Sequence, residues 1–219
     1  MNRLLFVGIC MILSTTTFGQ EMLVDLMSNA RLSNYDEIKR LKAESSRATD
    51  DTLDLPFFDD FSEPFSRLNN PGDLYPNDDL WLGDQVYVNN HMAINPISQG
   101  VATFDGLDEH GLAYGFGFSL PTVSDSLTSK PINLLGAADT VYLSFYYQAQ
   151  GMGNAPETLD VLTLEFRDSS GTWNVVWEVE GYILTVYDFN RVMIAVLGEQ
   201  YLYDGFQFRF KNYASLAGN

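Results

Sequence analysis

Apolar side chains recur at every second position in several stretches of the second half of the chain. The clearest is near the C-terminal end, where Phe206, Phe208 and Phe210 are separated by single polar residues. Residues 141–147 and 162–166 show the same alternation. Because successive side chains of a strand point to opposite faces, these stretches predict strands with one buried face and one face in water.

Two of the alternating stretches predict a β-hairpin. Residues 162–166 and 173–179 flank a short turn at 168–171 with the sequence Asp-Ser-Ser-Gly, a composition typical of such turns. The pattern in the second stretch places its large apolar residues on the buried face, namely Trp173, Val175, Trp177 and Val179. We therefore expect the two strands to pair in antiparallel orientation.

Short strands dominate the chain from residue 53 onward. Weaker signals at 86–88, 101–104 and 192–197 bring the expected number to about seven or more. The amphipathic helices that a parallel α/β sheet needs between its strands are missing. The sequence therefore predicts an all-β fold of two packed antiparallel sheets. Its expected core contains the large alternating side chains: Phe145, Leu164, Phe166, Trp173, Trp177, Phe206, Phe208 and Phe210.

The first 19 residues have the order of a secretory signal peptide. Arg3 precedes an apolar run at 4–13, and a small residue stands before the expected cleavage at Gln20. This run is too short to be a permanent membrane span, and no later run approaches spanning length. We expect export through the inner membrane to the cell surface or the extracellular space, with the periplasm as an alternative. Cleavage removes Cys10, so disulfides cannot stabilise the mature chain.

Residues 20–52 are expected to form a linker between the signal peptide and the domain. Small polar residues fill the second half of this segment, which has few positions able to join a core. Within 36–42, Ile38 and Leu41 lie three positions apart, a spacing compatible with one short helix. The linker is therefore expected to be flexible or briefly helical.

Charge narrows the range of partners. The 219 residues include 29 acidic and 12 basic side chains, which gives a formal net charge of −17. A surface this acidic repels a phosphate backbone, which argues against nucleic-acid binding. The chain is also 46% hydrophobic, too apolar for an acidic disordered tail. A cell-surface glycan or protein is the expected partner.

Several segments resemble a known module. They are Phe-Phe-Asp-Asp-Phe-Ser at 57–62, Asp-Leu-Trp at 79–81, Gly-Val-Ala-Thr-Phe-Asp-Gly-Leu-Asp at 100–108, and the stretches 125–132, 143–148 and 205–213. Together they resemble an N-terminal module of exported Bacteroidota proteins associated with type IX secretion and gliding motility, and more distantly the MAM jelly-roll domain. The resemblance implies a MAM- or concanavalin-like jelly-roll sandwich over residues 53–219, with a role in adhesion or recognition.

The chain departs from the family pattern at its C-terminal end. The family's module continues with a further strand after the position of Asn212 and Tyr213. We therefore expect residues 53–219 to lack the final strand of the sandwich. An edge left open in this way exposes unpaired backbone groups, which a C-terminal continuation or a strand-donating partner would satisfy.

Catalytic motifs are missing from the sequence. His91 and His110 could each act as a base, but no Gly-x-Ser-x-Gly elbow supplies a nucleophile. The acids near 164–168 lack the spacing of a glycosidase pair. The sequence therefore predicts no enzyme. The hypotheses are a recognition module, a structural component of the type IX secretion or gliding apparatus, and, third, a carbohydrate-active enzyme.

A cluster of acids predicts a structural calcium site. Asp59, Asp60 and Glu63 lie close together near the start of the domain, and calcium prefers such hard oxygen ligands. The resemblance to jelly rolls also places an ion-binding strand there. Two other sets are the alternatives: Asp78, Asp79 and Asp84, or Asp105, Asp108 and Glu109. In a chain this acidic, any of these sets could instead be simply solvated.

Exposed aromatic rings are the candidate ligand-binding residues. The alternation places Tyr142 and Tyr146 on the face opposite Phe145, and Trp81 is expected in or near a loop. Flat aromatic faces suit sugar rings, and amphipathic Tyr and Trp suit interfaces in general. The alternative is that neighbouring segments cover these rings.

Overall fold

The computed structural model describes residues 27–37, 39–40, 52–62, 74–114, 121–137, 141–181 and 187–215. The predicted signal peptide and Glu63 lie outside these residues. The described part is almost entirely β. Its strands are β1 Trp81–Leu82, β2 Tyr87–Asn89, β3 Val101–Thr103, β4 Thr122–Ser129, β5 Ile132–Asn133, β6 Val141–Tyr147, β7 Val161–Arg167, β8 Trp173–Glu180, β9 Asn190–Val196 and β10 Asp204–Ala214.

The larger layer is a six-stranded sheet built around the long strand β10. Its order is β1-β4-β10-β7-β8, and β5 pairs with the first residues of β10. All these pairings are antiparallel. Phe210 lies opposite Leu127 of β4 on one side and Leu164 of β7 on the other. The Phe-rich alternation therefore places β10 at the centre of the sheet, where its apolar face covers the core.

The second layer contains β6 and β9, which pair over seven residues from Val141–Val196 to Tyr147–Asn190. Phe145 of β6 reaches the large sheet, with ring centroids 4.8 Å from Phe210 and 5.1 Å from Trp177. The strands β2 and β3 form a separate antiparallel pair. The prediction of an all-β, antiparallel, sandwich-like fold is confirmed, while the jelly-roll connectivity stays a prediction.

The core lies between these layers and contains seven of the eight predicted residues. Leu164, Phe166, Phe206 and Phe208 are each at most 5% exposed. The half-buried residues Phe145, Trp177 and Phe210 pack against them. Burial of each such side chain contributes roughly 1.5–3 kcal/mol, so the core stabilises the domain without disulfides.

The eighth residue predicted for the core, Trp173, lies outside it, so that prediction is wrong. The register of β7 and β8 shifts between Leu164, which faces Trp177, and Glu165, which faces Val175. A β-bulge adds one residue to the strand and so reverses the phase of the alternation. Trp173 therefore lies on the outer face of the large sheet, with the Arg209 guanidinium 4.2 Å from its ring centroid.

The N-terminal segment packs against the domain through a separate aromatic cluster. Leu32 and Tyr35 are buried with Tyr75 and Tyr87. The backbone N–H of Asn29 donates to the carbonyl of Gly111 at 2.8 Å. Residues 35–37 and 39–40 are helical, which overlaps the short helix expected at 36–42. The described part of the predicted linker thus contacts the domain.

Within the described residues, no helix is both long and apolar enough to cross a membrane.

Candidate functional site

The tyrosine face is the side of β6 and β9 that points away from the core. It consists of Tyr142, Ser144 and Tyr146 of β6 and of Arg191, Met193 and Ala195 of β9. Tyr142 is 56% exposed and Tyr146 is 51% exposed. The alternation predicted for this strand is confirmed, because the intervening Val141, Leu143 and Phe145 are half-buried against the core.

The tyrosine face is elongated. Tyr142 and Tyr146 are four residues apart on one strand, so their attachment points are separated by about 13 Å. Met193, which is 60% exposed, pairs with Ser144 between them. The Arg191 side chain lies opposite Tyr146. The result is a strip of ring, thioether and ring, fixed by a regular ladder of backbone hydrogen bonds.

Trp81 is not part of this surface. It lies in β1 rather than in a loop, and it is 5% exposed. Its ring is surrounded by Phe57, Phe61 and Phe208 at centroid distances of 5.1, 6.0 and 5.6 Å. A ring enclosed in this way has no free face for a ligand, so this placement corrects the sequence-based assignment of Trp81.

Asp59 and Asp60 form a turn in which hydrogen-bond donors surround the carboxylates. The Trp81 indole N–H donates to Asp59 Oδ2 at 2.6 Å, and the Phe61 backbone N–H donates to Asp59 Oδ1 at 2.7 Å. Both the hydroxyl and the backbone N–H of Ser62 donate to Asp60 Oδ1. These bonds to Ser62 lower the pKa of Asp60. The calcium ligand role of these residues stays a prediction, since Glu63 lies outside the described residues.

A second acidic region lies where β4 meets the loop after β3. Asp125 of β4 is fully buried, and its Oδ2 accepts a hydrogen bond from the Gly106 N–H at 2.8 Å. Its Oδ1 and the Tyr114 hydroxyl are buried without a hydrogen bond of normal geometry. Asp105 is half-buried beside them, and burial raises its pKa to about 6. We call Asp105, Asp125 and Tyr114 the acidic pocket.

Two of the other loop acids named as alternatives, Asp84 and Asp108, have partners of their own. Asp84 accepts a hydrogen bond from the Tyr35 hydroxyl at 3.1 Å and lies 3.7 Å from the Lys39 ammonium. Asp108 accepts from the backbone N–H groups of His110 and Leu112. Across the described ranges, no three His, Cys, Asp or Glu side chains converge as a metal-binding group.

Both histidines lie near the N-terminal aromatic cluster. His91 Nε2 is 3.2 Å from the Arg31 guanidinium and 3.3 Å from the Tyr87 hydroxyl. The His110 ring packs edge-on against Tyr35, with centroids 4.8 Å apart, and its Nε2 is 3.6 Å from an Asp36 carboxylate oxygen. These contacts explain both side chains structurally, and the absence of catalysis stays a prediction.

A cleft of about 1080 Å³ joins the regions described above. Its walls include the inner side of β6, the β3 strand and the exposed ring of Phe58. Asp59, Asp60 and Asp105 border it as well. The turn at Asp59 and Asp60 therefore borders the same opening as Asp105, whereas Asp125 and Tyr114 do not line it.

Sequence reasoning missed Asp125. The acid stands in Ser-Asp-Ser, within a strand whose only bulky apolar residues are Val123 and Leu127, so its burial leaves no alternation to detect. A signal was present in the small neighbours Ser124 and Ser126, which leave room for other segments to approach. The sequence suggested Asp105 as a calcium ligand, but in a group with Asp108 and Glu109. In the structure, Asp108 accepts hydrogen bonds from His110 and Leu112, and Asp105 accepts one from Leu107.

Comparisons of the chain with protein-family models, with curated proteins and with solved structures find no match. The family resemblance carried by the sequence segments therefore stays a prediction.

Proposed function

We propose that this protein is an exported, non-catalytic recognition module of jelly-roll type, which binds a glycan or a protein at the cell surface. The observation that carries the proposal is the tyrosine face. Tyr142 and Tyr146 expose half of their side chains on one side of a fully paired ribbon. Aromatic rings held on a regular backbone lose little conformational entropy on binding.

The chemistry of the tyrosine face suits an elongated ligand. A tyrosine supplies an apolar ring and a hydroxyl that can both donate and accept hydrogen bonds. Arg191 adds hydrogen-bond donors at one end of the strip, and Met193 adds a deformable apolar contact in its middle. An extended sugar chain or peptide that lies along β6 would contact all four side chains.

The test is binding to a glycan array and capture of partners from cell envelopes, with wild type and the double variant Tyr142→Ala/Tyr146→Ala. We expect the wild-type protein to retain a ligand and the double variant to lose it, with an unchanged melting temperature. Val175→Ala is the matched control, because Val175 is 54% exposed on a strand of the other sheet. Binding that survives the double change would contradict the proposal.

The same experiment distinguishes the alternatives. Capture of envelope proteins that free sugar does not displace would favour a structural role in the secretion or gliding apparatus. Turnover of a polysaccharide would favour the carbohydrate-active enzyme.

A further inference from the structure

The acidic pocket brings together groups that are 20 residues apart in the sequence. Asp125 belongs to β4, and Gly106, whose N–H bonds to it, directly follows Asp105. The Leu107 N–H donates to Asp105 Oδ1 at 3.1 Å. Each carboxylate thus receives a backbone donor from the same short loop, and this arrangement holds both acids close to one point.

The hydrogen bonds in the pocket leave acceptor capacity unused. A carboxylate offers about four acceptor positions. Asp125 is 0% exposed, receives the Gly106 bond on Oδ2 and has no hydrogen bond of normal geometry on Oδ1. The buried Tyr114 hydroxyl interacts with the Asp125 carboxyl, but it too forms no hydrogen bond of normal geometry. Unsatisfied buried oxygens of this kind in a native structure point to a bound water or ion.

Among the described residues, no basic side chain compensates the charge in the pocket. In the part of the chain that the structure describes, no Lys, Arg or His forms an ion pair with Asp105 or Asp125. A buried carboxylate without a partner is costly, and a second one beside it adds repulsion. Asp108 adds to the negative potential. The pKa of Asp125 is raised chiefly by burial, then by the charge of Asp105, and to a smaller extent by the charge of Asp108. The pocket therefore favours a positive group.

We propose that Asp105 and Asp125 bind one calcium ion, with the Tyr114 hydroxyl as a neighbouring neutral oxygen. Two carboxylates balance the charge of one divalent cation. Calcium takes hard oxygen ligands in flexible geometry, and carboxylates, carbonyls and water complete its shell. The bound ion would tie β4 to the loop after β3, next to the cleft.

The site differs from the one that the sequence suggested. Asp59 and Asp60 already accept four hydrogen bonds from Trp81, Phe61 and Ser62. Asp125 Oδ1 and the Tyr114 hydroxyl instead lack a hydrogen bond of normal geometry. Asp84 Oδ1 lacks one as well, but the Lys39 ammonium lies 3.7 Å from the other oxygen of that carboxylate. We therefore assign the ion to the acidic pocket, because its oxygens have unused acceptor positions, and not to the turn, where the acids are adjacent in the sequence.

The experiment is calcium titration of chelator-treated, full-length mature protein at pH 7, followed by calorimetry. We expect one calcium ion per chain and a melting temperature that rises with calcium concentration. Asp125→Asn and Asp105→Asn each abolish both effects. Asp60→Asn, the matched control, leaves both unchanged.

Other outcomes would overturn the proposal. Absence of calcium binding by the folded wild type would show that a proton, rather than a metal, neutralises the pocket. Binding that persists in Asp125→Asn, or that is lost in Asp60→Asn, would place the ion elsewhere. If Asp125→Asn does not fold, Asp105→Asn decides, and each variant is first checked for cooperative unfolding. Failure here leaves the tyrosine face unaffected, because that surface is tested with ligand.

Discussion

The turn and the acidic pocket each contain two aspartates, but the two regions differ in how many hydrogen-bond donors their carboxylates receive. In the turn, Asp59 and Asp60 lie next to their donors in the sequence, and the carboxylates are matched by N–H and O–H groups. In the acidic pocket, Asp105 and Asp125 come from separate segments and receive one backbone donor each. The comparison teaches that donors, rather than the number of acids, decide whether a cluster needs a cation.

Their anchoring differs as well. The turn is attached to the aromatic core, because Asp59 accepts the Trp81 indole N–H and the Trp81 ring packs edge-on against Phe208. The pocket instead joins β4 to the loop after β3, because the Asp125 carboxylate accepts from the Gly106 N–H. Changes in the turn should therefore be transmitted to the core, while changes in the pocket should stay local.

The largest effect is expected from the core beneath the turn. Phe208 is 5% exposed and contacts Phe57 and Trp81. Phe208→Asp places an unpaired charge among these rings. The free-energy cost of burying that charge is comparable to the whole stability of a typical domain, about 5–15 kcal/mol. We expect no cooperative melting by circular dichroism. Tyr146→Asp, on the exposed face, should melt normally, and a folded Phe208→Asp protein would contradict the core assignment.

An intermediate effect of opposite sign is expected from the same substitution in the two regions. Both oxygens of Asp59 accept a hydrogen bond, so in Asp59→Asn the amide N–H₂ must face either the Trp81 or the Phe61 N–H. This change should lower the free energy of unfolding by about 1–3 kcal/mol. Asp125→Asn removes a buried charge and should stabilise the calcium-free protein by about 1 kcal/mol. Urea denaturation in chelator measures both free energies of unfolding. Equal signs would mean that the two regions do not differ in the way the hydrogen bonds indicate.

The smallest effect is expected in the pH dependence of stability. Burial raises the pKa of Asp105 from 3.8 to about 6, so the folded protein binds this proton more tightly than the unfolded chain does. In calcium-free protein, its contribution is therefore fully present below pH 3.8 and is lost as the pH rises through about 6. Between pH 4 and 6 the melting temperature of wild type should therefore fall with pH more steeply than that of Asp105→Asn, and the two should run parallel above about pH 7.

Asp168 provides the reference with the opposite sign. Hydrogen bonds from Ser170, Asn174 and Thr172 in the β7–β8 turn lower its pKa from 3.8 to about 2. Its contribution is present above pH 3.8 and is lost as the pH falls through about 2. Asp168→Asn should therefore change melting curves at pH 2–4 and leave the slope between pH 4 and 6 as in wild type. A wild-type slope in Asp105→Asn would refute the assignment of that range to Asp105.

The sequence predicted the strands in which apolar and polar side chains alternate. In β6 this alternation matches exposure, because one face packs in the core and the other meets solvent. In β7 and β10 the polar positions Glu165 and Gln207 are buried as well, so the expectation that their second face lies in water is wrong. Strand β4 was not predicted as a strand from its pattern, since Ser, Asp and Thr fill it and its pairing with β10 comes from tertiary context.

The candidate sites divide in the same way. The tyrosine pair follows from period-two alternation, which sequence shows directly. The environment of Trp81 and the acidic pocket depend on contacts between distant segments, which no local pattern encodes. The outward position of Trp173 depends on one bulge, which changes register without changing composition.

That extra residue in β8 also sets the character of a whole outer surface. Because of it, an indole covers the guanidinium of Arg209, which in turn forms an ion pair with the buried Glu165. If Val176 were paired in a regular ladder instead of forming the bulge, Trp173 would point into the core and Asn174 would face outward. A single bulge can thus decide whether an aromatic-cationic pair or an amide lies on the exterior, with the amino-acid sequence unchanged.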